Sequence, residues 1–145
     1  YFDMASFSGY LQGTGTTSSQ GLELSGETAF LTHWRLLANI TWNETESNTK
    51  QQRPYRPEWA AASTLLWQDR SVVAALTARF TRDSVDTFGA PMPNTERLDA
   101  SVALNVTQSL RVTARIENLT DNQDAQVRDY NQIPRAAYLG LRYSI

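Results

Sequence analysis

Apolar and polar residues alternate along most of this chain, which is the pattern of β-strands whose two faces meet different environments. Every second residue from Trp34 to Trp42 is apolar, and the residues between them are mostly polar. The set from Trp59 to Trp67 repeats the pattern and carries no charge. The predicted strands lie at residues 21–31, 34–43, 59–68, 71–81, 97–107, 110–117 and 136–145, and residues 1–12 allow an eighth. The pattern therefore predicts an all-β chain of seven or eight strands.

The connections between these strands alternate between two lengths. Tight turns are predicted at residues 31–33, 68–70 and 108–109. Long loops rich in Asn, Asp, Gln, Thr and Pro are predicted at residues 47–57, 84–95 and 119–134. An antiparallel up-and-down meander with short turns at one end and long loops at the other is typical of an outer-membrane β-barrel.

The aromatic residues support a membrane-spanning interpretation. Trp34 and Trp42 are eight residues apart on one face, and so are Trp59 and Trp67. Eight residues of strand cover about 26 Å, or about 20 Å of height at a tilt of about 40°, close to the apolar band of such barrels. We predict an aromatic girdle that comprises Trp34, Trp42, Trp59, Trp67, Phe80 and Tyr143. The alternative is that the tryptophans form the core of a soluble β-sandwich.

The opposite face of the strands carries most of their charge. The residues predicted to face the lumen of the barrel are Arg35, Arg79, Arg97, Asp99, Arg111, Arg115, Glu117 and Arg142, with Glu23 and Glu27 on the first strand. Charges of both signs at this density indicate either a wall that contacts a luminal domain or the wall of a solvated channel.

Composition excludes several classes of protein. The 145 residues include 13 Lys+Arg, 15 Asp+Glu, no Cys and one His, with a net charge of -2. A zinc ribbon, an iron–sulfur protein, a Cys nucleophile and a disulfide scaffold are excluded, and nucleic-acid binding is not expected from an acidic chain. No run of about 20 apolar residues predicts a membrane helix. Neither a Ser/His/Asp order nor a phosphate loop surrounds His33, so we expect no enzyme activity, cofactor or metal site.

The chain contains short motifs in a characteristic order. Residues 138–145 resemble the C-terminal assembly signal of outer-membrane barrels, with Gly140, Tyr143 and Ile145 at its positions, although such signals usually end in Phe or Trp. Residues 111–122, RVTARIENLTDN, resemble the segment before the final loop of TonB-dependent outer-membrane receptors. Residues 130–143 resemble the ending of that family, without its usual Gly before Arg135. Residues 20–24 (QGLEL) and 56–59 (RPEW) resemble earlier strands of the same family.

The resemblance implies a 22-stranded barrel around a plug domain. Residues 1–145 would then be the C-terminal third of the barrel, without the plug and the N-terminal strands, and either a removed signal or a longer parent chain would explain the start at Tyr1. The resemblance further implies the outer membrane of a Gram-negative bacterium, lipid and TonB as partners, and import of a ferric siderophore or cobalamin. Alternatives are a complete small outer-membrane barrel with a structural or adhesive role, or a soluble carbohydrate-binding sandwich.

One loop offers a candidate ligand contact. Arg53, Tyr55 and Arg56 follow Lys50 and combine three cations with an aromatic ring, which suits an anionic ferric chelate. The alternatives are a solvated loop or one that binds lipopolysaccharide phosphates. Asp121, Asn122 and Asp124 lack the spacing of a calcium loop, so we expect them to make turn hydrogen bonds.

Overall fold

The computed structural model describes residues 15–125 and 127–144. Within them the chain forms one antiparallel sheet in which each strand pairs with the next along the sequence. The strands are β1 (Ser18–Phe30), β2 (Trp34–Glu46), β3 (Trp59–Gln68), β4 (Val72–Arg82), β5 (Thr95–Asn105), β6 (Leu110–Glu117) and β7 (Ala136–Tyr143). The predicted all-β meander is confirmed. The possible strand at residues 1–12 lies outside the described residues, as does Ile145 of the predicted assembly signal.

Strand boundaries follow the apolar pattern closely in the middle of the sheet and less closely at the loop end. β3 and β6 have the predicted limits, whereas β2 continues three residues further, to Glu46. The extension has a backbone cause, because β1 pairs with β2 along its whole length, from Phe30 opposite Trp34 to Ser18 opposite Glu46. Ladder hydrogen bonds extend these strands into a region where the side chains no longer alternate.

The register of the sheet keeps the two faces separate across all seven strands. One row across the apolar face comprises Thr28, Leu36, Leu65, Leu76, Ala100, Ile116 and Ala137. A slip of one residue in any pair would move a whole strand's apolar set to the other face. The observed register therefore agrees with the alternation in every strand.

The sheet has almost no buried apolar core. Met92, at 9% exposure, is the one buried hydrophobic residue among those described, and it lies in a loop. Large side chains on the apolar face are open, with Leu139 at 88% and Leu22 at 71% exposure. A soluble sandwich would bury this face against a second sheet, so the arrangement does not favour the sandwich interpretation.

The sheet is open at both edges in the described part of the chain. β1 and β7 are its outer strands, and they neither pair nor contact each other. The short turns lie at one end of the sheet, which we call the turn end. The long connections 47–58, 83–94 and 118–135 lie at the other, which we call the loop end.

Candidate functional site

The tryptophans lie in two pairs at opposite ends of the apolar face. Trp34 stands opposite Trp67 at the turn end, where Phe30 stacks on Trp34 with ring centroids 6.3 Å apart. Trp42 stands opposite Trp59 at the loop end, with centroids 6.5 Å apart. Of the other predicted girdle residues, Phe80 lies at the loop end, opposite Ala61, and Tyr143 lies at the turn end, opposite Leu110. The six aromatic residues thus occupy two levels.

On the apolar face of the described strands, no charged residue lies between the turn-end aromatic residues and the row of Phe80, in which Glu96 stands opposite Phe80. The pair formed by Arg82 and Glu96, with 3.7 Å between nitrogen and oxygen, marks the loop-end border of this face. The apolar band between the aromatic levels therefore presents hydrocarbon, small and hydroxyl side chains alone.

A network of ion pairs crosses the polar face near the loop end. Arg97 lies at its centre, 2.9 Å from Asp99 and 3.0 Å from Glu117. Arg79 pairs with the other oxygen of Asp99. Arg115 is 3.2 Å from Glu117, and its guanidinium carbon lies 4.6 Å from the centre of the Tyr138 ring. The network joins β4 to β7, and each carboxylate in it is shared between two arginines.

The remaining residues of the predicted charged face have different surroundings. Arg35 pairs with Glu27 of β1 at 3.2 Å. Arg111 and Arg142 stand directly opposite each other on β6 and β7, and neither makes an ion pair within the described residues. All eight predicted residues share one face, but only five of them form the network.

The first two long loops are joined by hydrogen bonds. The Tyr55 amide donates to the carbonyl of Val85 at 2.8 Å, and the Glu58 amide donates to that of Asp83 at 3.1 Å. The side-chain amide of Gln52 donates to the same Asp83 carbonyl at 2.7 Å. Loop 47–58 is therefore fixed against loop 83–94 mainly through backbone groups.

A buried carboxylate joins the second and third long loops. Asp86, at 1% exposure, accepts hydrogen bonds from the amides of Phe88 and Ala90, both at 2.9 Å, and from Arg128 Nε in loop 118–135. Burial alone would raise the pKa of Asp86, but these three donors outweigh it and hold the pKa below 3.8. The only sequence signal for this site is Asp86 three residues before Gly89, the pattern of a type I turn.

Asn118 organises the start of the third loop. Its side-chain amide donates to the carbonyls of Asn122 and Ile133, at 2.8 and 3.1 Å, and its side-chain oxygen accepts from the Asn122 amide at 3.0 Å. Its φ of 52° is one that Asn tolerates better than most residues. The expectation of turn hydrogen bonds is confirmed for Asn122, which accepts from the Asp124 amide two residues on. Asp121 instead accepts from the Arg135 amide at the far end of the loop, and the expectation for Asp124 stays a prediction.

The candidate ligand loop has arginines that pair with no acid in the part of the chain that the structure describes. Arg53 is half-buried and Arg56 is exposed, and neither makes an ion pair within the described residues. Tyr55 between them has a φ of 57° and is anchored to loop 83–94 through its backbone. The described residues contain no group of three or more acidic or histidine side chains placed to hold a metal ion.

Two glycines of the sequence motifs lie at close approaches. A Cβ at Gly21 would collide with the backbone carbonyl oxygen of Trp42 on the next strand. A Cβ at Gly140 would lie 2.5 Å from the hydroxyl of Thr113. The close approach at Gly21 is to backbone and that at Gly140 is to a side-chain hydroxyl. The role of Gly140 in assembly stays a prediction.

Comparison with known families decides which proteins this sheet belongs with. A family model described as TonB dependent receptor-like, beta-barrel, matches residues 2–119. The chain belongs to the TonB-dependent receptor family. The match includes the motifs at residues 20–24 and 56–59 and ends just after Asn118. The motif at residues 130–143 lies beyond the matched region. No curated protein matches the chain in sequence.

Solved structures of this family share the fold. The siderophore receptor PiuA from Acinetobacter baumannii superposes with a TM-score of 0.76 at 17% identity, over 88% of this chain and 22% of that one. The copper transporter OprC gives 0.75 at 15% identity, over 89% and 24%. The ferric-catecholate import receptor Fiu from E. coli K12 gives 0.70 at 17% identity, over 88% and 21%. The chain thus spans less than a quarter of these receptors. No helix in its described part has the length and hydrophobicity to cross a membrane.

Proposed function

We propose that this chain is part of the wall of a TonB-dependent receptor in the outer membrane of a Gram-negative bacterium. The observation that carries the proposal is an open sheet with an uncharged, exposed apolar face between two aromatic levels. Such a face suits the hydrocarbon core of a bilayer, with tryptophans at its two interfaces. The polar face then lines the interior, the long loops lie outside the cell, and the short turns face the periplasm.

The proposal also includes further barrel strands, a plug domain and TonB as partners of this chain. The structures it resembles are about four times longer, and among the described strands the outer edges of β1 and β7 have no pairing partner. Further strands would continue the sheet from these edges, since closure removes the exposed backbone groups. A plug domain would occupy the interior, and TonB would supply energy through the N-terminal part of the receptor.

The proposed cargo is a scarce anionic chelate such as a ferric siderophore, with cobalamin as the other candidate. Two of the similar structures are described as a siderophore receptor and a ferric-catecholate receptor, and a third as a copper transporter. Arg53, Tyr55 and Arg56 would contact the cargo. Two observations support this contact. The two arginines have no acidic partner in the described residues, and a backbone hydrogen bond holds Tyr55 in place. Unpaired guanidinium groups bind carboxylates and similar anions strongly.

Uptake in living cells tests the proposal. A strain that relies on the receptor containing this chain should take up one labelled solute from a panel of ferric siderophores, cobalamin and copper. This uptake should stop when TonB is deleted. Uptake that is independent of TonB, or fractionation of the receptor outside the outer membrane, would contradict the proposal.

Loop variants test the candidate ligand contact separately. Arg56→Gln should weaken binding of that solute about tenfold, the effect of losing one charge-assisted hydrogen bond. Arg82→Gln is the matched control, since it removes one loop-end arginine charge at the border of the apolar face. Equal binding by both variants would remove residues 53–56 from the site but leave the receptor function standing.

A further inference from the structure

The two carboxylate oxygens of Asp86 serve different loops. Oδ1 accepts hydrogen bonds from the amides of Phe88 and Ala90, both at 2.9 Å, and closes the turn at the tip of loop 83–94. Oδ2 accepts from Arg128 Nε, which is the one hydrogen bond between loops 83–94 and 118–135 in the described part of the chain. Asp86 therefore fixes the guanidinium of Arg128 beside this turn.

The outer edge of the Arg128 guanidinium is open. Its side chain is 46% exposed, whereas that of Asp86 is 2% exposed. Nη1 and Nη2 make no hydrogen bond to another described residue, and Asp129, the next residue, forms no ion pair with Arg128. The two terminal nitrogens of a guanidinium match the spacing of two anionic oxygens. Because Asp86 already orders this side chain, an anion that binds there loses less entropy.

Two aromatic side chains lie close to this edge and are open to solvent. Phe88 is 89% exposed and Tyr130 is 73% exposed. The Phe88 amide and Arg128 Nε donate to the same carboxylate, so these two nitrogens lie within about 8 Å of each other. Tyr130 follows Arg128 by two residues, and its amide donates to the carbonyl of Val127 at 3.3 Å. Aromatic rings beside a guanidinium suit an anionic group carried on a flat, partly apolar frame.

The candidate ligand loop lies near the same carboxylate. The Tyr55 amide donates to the carbonyl of Val85, the residue before Asp86, at 2.8 Å. The path of bonds from this amide through Asp86 to Arg128 Nε is short, so these two nitrogens lie within about 12 Å of each other. One chelate of that size can contact both loops.

We propose that Arg128 is a further cargo-binding residue, positioned by Asp86, and that it binds a pair of anionic oxygens such as those of a carboxylate or a catecholate. The inference rests on the proposed function, which places the long loops outside the cell. It adds the third long loop to the ligand contact and restricts the cargo to an anionic chelate.

Binding to the purified full-length receptor in detergent tests the proposal without TonB. The probes are anionic ferric chelates with catecholate ligands or with carboxylate ligands. Arg128→Lys keeps a cationic donor for Asp86 but lacks the two terminal nitrogens of the guanidinium. Arg135→Lys is the matched control, because it makes the same change at an exposed arginine of the same loop.

We expect Arg128→Lys to raise the dissociation constant of the bound chelate about tenfold. Hydrogen exchange at the Phe88 and Ala90 amides should not change, and Arg135→Lys should bind as the unsubstituted receptor does. Asp86→Asn replaces the oxygen that faces Arg128 by a donor. It should weaken binding similarly, and it should have no further effect when combined with Arg128→Lys.

Several results would overturn the proposal. Unchanged affinity in Arg128→Lys, a loss equal to that in Arg135→Lys, or a loss accompanied by faster exchange would assign Arg128 to the loop fold alone. Additive effects of the substitutions at Asp86 and Arg128 would refute the positioning role. A receptor that binds none of the anionic chelates would also overturn it, but TonB-dependent uptake of another solute would leave the proposed function standing. Conversely, binding that depends on Arg128 without TonB-dependent uptake would support this site alone.

Discussion

At the scale of single residues, the structure depends on positions that the hydrophobic pattern does not mark. Gly21 is required because the carbonyl of Trp42 occupies the space of its Cβ. Asp86 is required because it satisfies two backbone amides and Arg128 at once. The requirement at Gly21 comes from the neighbouring strand, and the requirement at Asp86 comes from its own loop and from Arg128 of the third long loop.

Gly21→Ala should destabilise the sheet while Gly26→Ala should not. Both glycines lie in β1, but nothing lies within 4 Å of the Cβ position at Gly26. We expect Gly21→Ala to cost about 1–3 kcal/mol through overpacking and Gly26→Ala to change stability by about 0.5 kcal/mol or less. Urea denaturation of the receptor in detergent measures both, and equal effects would refute the close approach at Gly21.

The contact between Asp86 and Arg128 should weaken in acid. The folded pKa of Asp86 lies below the ordinary 3.8. Its contribution to stability is therefore complete above about pH 4 and is lost as the pH falls through the folded value. Hydrogen exchange at the Phe88 and Ala90 amides, corrected for the intrinsic effect of pH, should accelerate below pH 4. The Asp86→Asn variant should show no such additional acceleration; if it accelerates equally, another group is responsible.

At the scale of elements, each strand has one apolar and one polar face, and the register keeps these faces continuous. Leu65 lies between Leu36 and Leu76 on the apolar face, inside the two aromatic levels. Thr41 lies on the opposite face, between Glu23 and Ala60. The same substitution at these two positions therefore meets opposite environments.

Leu65→Arg should impair insertion of the receptor into the outer membrane, because a cation on the lipid side at mid-membrane costs about 2–4 kcal/mol. Thr41→Arg should be tolerated, since the new cation would lie opposite Glu23. The amount of each variant in purified outer membranes, relative to total protein, measures the difference. Equal tolerance of arginine on the two faces would contradict the assignment of the apolar face to lipid.

At the scale of the molecule, the sheet lacks what a water-soluble domain needs. Its apolar face is exposed, and the edges of β1 and β7 leave backbone groups unpaired in the described part of the chain. Exposed apolar surface and open edges both promote association between chains.

Residues 1–145 expressed alone should therefore not remain monomeric in detergent-free buffer. We expect large assemblies or precipitate, and analytical ultracentrifugation with and without detergent measures the difference. A folded, stable monomer in water would show that the apolar face is covered in another way and would contradict the membrane proposal.

The sequence by itself determined the strands, the separation of their faces and the two levels of tryptophan. Side chains alternate across a strand with a period of two, so these features depend on local geometry and can be read directly from the order of residues. The family motifs were equally local, and the family they indicated is the one to which the chain belongs.

Only the tertiary structure decided which charges meet and how the loops are fixed. Asp86 and Arg128 are 42 residues apart, and Arg97 and Glu117 are 20 apart, so their contacts depend on loop paths and on register. The same register left Arg111 and Arg142 facing each other without an acid in the described residues. Alternation assigns a residue to a face, but its partners depend on the residues that neighbouring strands and loops bring to that face.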